Sequence, residues 1–106
     1  MASVVIGTLG GAYLGSEIGK SLDSADRMYM EKNAQSTLEY SQAGAASSWK
    51  NSDSGHSGTF KPTRTYTATS GHSCREYESI IYIDGREEVA TGMAYRQPDG
   101  SWKISD

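Results

Sequence analysis

The sequence predicts an α+β domain: an N-terminal glycine-zipper helix, then an amphipathic helix packed on a four- to five-stranded antiparallel meander sheet. Three observations predict it. Glycines recur every four residues through an uncharged start. A polar helical stretch follows, opened by a capping signal. From Ser47 onward, aromatic and β-branched residues run between strong turn signals. Two units result, a glycine-zipper helix at 1–20 and an α+β domain at 21–106.

Composition narrows the class. Leu, Ile, Val and Phe supply only 14 of 106 residues, a fraction typical of disordered chains. The net charge of −3 and the aromatics (seven Tyr, two Trp, one Phe) point instead to a folded domain whose core is aromatic. At this size and charge, a large enzyme with a deep cleft and a highly basic nucleic-acid binder are both excluded. A single Cys excludes an intrachain disulfide framework and a Cys-rich zinc site.

Residues 1–16 carry no charged side chain, and Lys20 is the first basic residue, so no complete secretory signal is expected here. Gly7, Gly11, Gly15 and Gly19 fall on nearly one face of a helix. They would form a groove flanked by Val4, Val5, Ile6, Leu9, Tyr13, Leu14 and Ile18, as in small-residue helix packing. Each glycine costs a helix interior about 1 kcal/mol, so another surface should pack against the row. Sixteen residues span about 24 Å, short of a bilayer core of about 30 Å, so membrane contact needs more than one such helix. A buried helix or glycine-rich loop is the plainer reading. The Gly15–Ser21 stretch resembles a phosphate-binding loop but has Leu14 where that motif needs glycine.

Asp23 can cap the next helix, with Asp26 three residues on near its positive end. The helix should run to about Ser41, with Met30, Ala34, Thr37, Leu38 and Ser41 on one face and Gly44 as its stop. Strands follow at about 46–51, 58–68, 73–83, 86–96 and 101–105. Asp84-Gly85 is a type I′ hairpin signal, so Ile83 should face Arg86 and paired residue numbers should sum to 169. Cys74 then lies opposite Tyr95, and Tyr77 opposite Gly92.

Four stretches resemble the 17 kDa surface antigen family of bacterial outer-membrane proteins: GTLGGAYLGSEIGKSLDSADR, SSWKNSDSGHSGTFKPTRTY, CREYESIIYIDGR and RQPDGSWKIS. The resemblance implies a membrane-associated glycine zipper, a small displayed α+β domain, an outer-membrane location and no catalytic residue or cofactor. It departs from the family pattern in three places. There is no lipidated Cys near the start, only one glycine-zipper helix is present, and Tyr95 stands where relatives often have a second Cys. The family's cysteine pair would thus be a cross-strand disulfide that this chain lacks. These departures fit either a trimmed chain or a module reused in a virion or a secretion apparatus.

Chemistry-bearing residues are few. His56, His72 and Cys74 could converge with Asp53 on a metal, but loop histidines on a solvated rim are the expected reading, with no metal. Glu76, Glu78, Glu87 and Glu88 read as a solvated acidic hairpin. The expected protein is therefore non-enzymatic and structural. It assembles as a homo-oligomer or larger complex through Gly7, Gly11, Gly15 and Gly19, with a membrane as a further partner and no nucleic acid. The alternative is a binding or inhibitor module, whose candidate face is Trp49, Tyr66, Tyr77 and Trp102.

Overall fold

Helix α1 (Ser24–Tyr40) starts where the sequence places it. In the computed structural model, which describes Leu9, Tyr13 and residues 16–105, the Asp23 side chain accepts from the Asp26 backbone N–H at 2.7 Å. Asp26 Oδ2 accepts from the Asp23 N–H at 3.0 Å, completing a capping box built from two aspartates. Met30, Ala34, Thr37 and Leu38 form the buried stripe. The helix ends earlier than the expected glycine stop. Ser41 turns extended and its N–H donates to the Thr37 carbonyl, while Gly44 (φ +90°) lies beyond it and donates to the Pro62 carbonyl at 2.6 Å. Gly44 thus turns the chain toward the sheet rather than stopping the helix.

Strands β1 (Ser47–Lys50), β2 (Ser57–Thr67), β3 (Ser73–Ile83), β4 (Arg86–Arg96) and β5 (Trp102–Ser105) pair in sequence order, all antiparallel. Asp84 and Gly85 both have positive φ (53° and 78°), as a type I′ turn requires. Every β3–β4 pair from Ile83↔Arg86 to Cys74↔Tyr95 follows the expected register. Between Pro62 and Arg64 the β2–β3 register shifts at a bulge. The helix touches β1, β2 and β5, so the sheet curls around it and both edges reach the same helix.

The core is as aromatic as the composition demands. Phe60 stacks on Tyr77 with ring centroids 4.9 Å apart, and Trp49 and Trp102 close the two ends. Leu9 and Tyr13 are buried in this same core, with Ile18 packed against it. The Tyr13 hydroxyl donates to Ser79 Oγ at 2.8 Å, and burial pushes its pKa up to about 12, so it stays a neutral donor. Gly19 lies in a 3-10 turn, Gly19–Ser21, folded back on Tyr13. No helix among the described residues is long and apolar enough to cross a membrane.

Glycine is required at position 58 for close approach. A Cβ there would lie 2.5 Å from Trp49 Nε1 and 2.6 Å from the Ile80 carbonyl oxygen. Gly58→Ala should therefore cost about 1–3 kcal/mol by overpacking, read as a lower denaturation midpoint with an unchanged slope.

Candidate functional site

The residues expected to form a binding face do not share one. Trp49, Tyr77 and Trp102 are buried on the helix side of the sheet, and only Tyr66 reaches the outer side. The bulge explains the split. Before it, Gly58, Phe60 and Pro62 oppose Ile81, Ser79 and Tyr77, which face the helix. After it, Arg64 and Tyr66 oppose Glu76 and Cys74, on the other face. One extra residue reverses the side to which each later side chain points.

The outer face carries cross-strand charge pairs. Lys61 lies 3.7 Å from Glu78, and Arg64 lies 3.2 Å from Glu76. The Arg64 guanidinium sits 5.0 Å from the Tyr66 ring centroid, and the Tyr66 hydroxyl donates to Met93 Sδ at 3.5 Å. Cys74 is a free thiol, fully buried between its register partners Tyr66 and Tyr95. The thiol donates to the His72 carbonyl at 3.6 Å. Toward the Asp84-Gly85 turn, Tyr82 and Val89 are exposed.

The most concentrated polar chemistry lies inside the domain, at the start of α1. Asp26 is fully buried and is a hub. Its Oδ1 accepts from Asn51 Nδ2 at 2.8 Å and Ser54 Oγ at 2.7 Å, and its Oδ2 pairs with His56 Nδ1 at 2.7 Å. Burial alone would raise the Asp26 carboxyl. The hydrogen bonds from His56, Ser54, the Asp23 backbone and Asn51 outweigh it and hold the carboxyl below its ordinary value. This corrects the expected solvated position of His56, whose side chain is only 13% exposed. The far end of the helix is held by Arg75, buried by the sheet, which donates to the Leu38 carbonyl at 2.6 Å and Thr65 Oγ1 at 3.0 Å.

Ser54, His56 and Asp26 are the residue types of a hydrolytic triad but not its geometry. In a triad the imidazole bridges hydroxyl and carboxylate. Here the serine and histidine both bond the aspartate, so no base addresses the hydroxyl. The metal grouping is also not assembled. His56 and His72 flank opposite ends of the β2–β3 hairpin, roughly 30 Å apart along an extended strand. His72 is exposed, with Nδ1 3.3 Å from the Arg96 carbonyl. Among the described residues, no three His, Cys, Asp or Glu side chains are placed to hold a metal ion. Of the glycine row, Gly7, Gly11 and Gly15 lie outside the described residues. Gly19 faces Tyr13 of its own chain rather than an open groove, because the 3-10 turn folds it there.

In the sequence Asp26 shows only its place near the positive end of the helix, and the hub is not visible there. The available signal was the Asp23–Asp26 spacing of a capping box. Its other donors come from a loop 25 to 30 residues away, which local spacing does not connect to it.

The profile of the 17 kDa outer membrane surface antigen family matches residues 36–103. A 17 kDa surface antigen of Rickettsia bellii is 39% identical over 104 residues, covering 98% of this chain and 65% of the relative. The 17 kDa surface antigen of Rickettsia felis is 39% identical over 83 residues, covering 78% of this chain and 52% of the relative. That of Rickettsia prowazekii is 39% identical over 82 residues, covering 77% and 52%. The chain thus spans about half to two thirds of the length of these relatives. No solved structure matches it.

Proposed function

We propose, because this chain belongs to the 17 kDa outer membrane surface antigen family, that it is a non-enzymatic protein displayed at a bacterial cell surface. The observation that carries the reading is the extent of the family match. It covers the end of α1 and nearly the whole five-stranded sheet, the part a surface domain would present. The Asp26 hub fits the same reading, since its polar groups hold the helix to the loop rather than address a substrate.

The finer proposal is an outer-membrane location with assembly through Gly7, Gly11 and Gly15. At about 100° per residue, a helix would place this row nearly opposite Leu9 and Tyr13. Those two side chains pack into the domain, so the glycines would turn outward to a neighbouring helix or lipid. Gly11→Leu with Gly15→Leu should abolish the oligomer and lower membrane partition while the far-ultraviolet spectrum of the sheet stays unchanged. Unchanged oligomer size and unchanged partition would overturn the assembly proposal. Protease accessibility of the domain on intact cells tests display itself: protection from added protease would overturn it.

A further inference from the structure

We propose that the seat of Tyr13 on β3 is also a docking site for Tyr13 of a second copy, two chains exchanging their N-terminal segments about a two-fold axis. The seat is shaped for this residue. α1 packs on β1, β2 and β5, so the helix side of β3 and β4 needs another cover. Ser79 and its register partner Ala90 are both small and leave room for a ring above them. Tyr13 is buried there with its hydroxyl on Ser79 Oγ, and Leu9, four residues earlier, is buried in the same core.

Tyr13 is tied to its own domain by a short tether with Ser16 as its pin. The Ser16 N–H and hydroxyl both donate to the Tyr13 carbonyl, at 3.0 and 3.1 Å, and the hydroxyl accepts from the Gly19 N–H at 2.8 Å. Ser16 is half-buried, so water can replace these bonds when the tether opens. The fold-back requires glycine at position 19. A Cβ there would collide with the Tyr13 carbonyl oxygen and lie 2.5 Å from Tyr13 Cβ. Opened, residues 16–21 span about 20 Å, enough to carry Tyr13 to a neighbouring domain.

A second copy is the occupant that requires no new complementarity, because the structure already shows the segment seated. In trans, Leu9 and Tyr13 make the contacts they make in cis, with the same hydroxyl on Ser79. The exchange is reciprocal, so it closes as a dimer and leaves no open end. The two forms differ only in the tether and in the cost of association. Their balance is therefore set by concentration and by the side chain at position 19. Gly7, Gly11 and Gly15 take no part, which separates this contact from assembly through the glycine row.

The test uses the full chain. Gly19→Val forbids the closed tether but leaves Leu9, Tyr13 and their seat in place. Sedimentation equilibrium should show dimerisation strengthened about tenfold or more over the parent. Gly19→Ala, the smaller change, should act in the same direction and to a lesser extent. Isotope-labelled and unlabelled chains, refolded together at millimolar concentration, should give a cross-peak between the Tyr13 ring of one copy and Ser79 of the other, in the parent as in the variants. Adding Tyr13→Ala to Gly19→Val should abolish the dimer while the circular dichroism of the sheet persists. Monomers at every concentration in both Gly19 variants would overturn the proposal, as would a parent without the cross-peak. So would a dimer that survives Tyr13→Ala, the result expected if the glycine row alone joins the copies.

Discussion

Asp26→Ala should destabilise the domain by about 3–5 kcal/mol, the largest effect expected of any single substitution in α1. The change removes the capping box and strands three side-chain donors, from Asn51, Ser54 and His56, around an empty volume. Asp26→Asn keeps the volume and one accepting oxygen and should cost less. Chemical denaturation of the two variants checks the order. The same carboxylate sets an acid limit. Its folded pKa is held below the ordinary carboxylate value, so as pH falls the unfolded chain takes up the proton first. The stability it supplies is complete above the unfolded pKa, about 3.9, and is lost as pH falls through the folded value. Stability of the parent should thus fall steeply below about pH 4, and that of Asp26→Ala less steeply. Equal acid slopes in the two proteins would count against the hub.

Tyr95→Cys should form a disulfide with Cys74 in air and raise stability by roughly 3 kcal/mol, less strain and lost tyrosine packing. The two positions are register partners. Nine steps from the hydrogen-bonded pair Ile83↔Arg86, they fall on the closer, non-hydrogen-bonded kind of pair. Opposed Cβ atoms in such pairs approach about 4.5 Å, the upper end of what a disulfide accepts. Thiol titration in denaturant after full oxidation should find none. Two free thiols would contradict the expected closure, and reduction of the closed form should return the variant to a stability at or below that of the parent.

What the sequence made legible follows from the range of each signal. The β3–β4 register was readable to its last pair because Asp84-Gly85 fixes it within two residues. The capping of α1 was readable for the same reason. The bulge was less so: Pro62 marks a break in the ladder, but nothing in the alternation of β2 says where the extra residue goes. Strict alternation through β2 would set Tyr66 on the face of Phe60, whereas the bulge turns it to the other. Trp49, Tyr77 and Trp102 suggested a binding face, although a chain this poor in aliphatics needs them as core. The Asp26 hub depends on groups brought together only by the folded loop, so no periodicity exposes it.

The bond between Tyr13 and Ser79 has a mechanical consequence. Ser79 lies midway along β3, the central strand of five. Tension applied to the chain ahead of Leu9 would enter the sheet through its middle rather than peel it from an edge. A domain held by its N-terminal segment would yield first where Leu9 and Tyr13 meet the core, and keep its sheet whole.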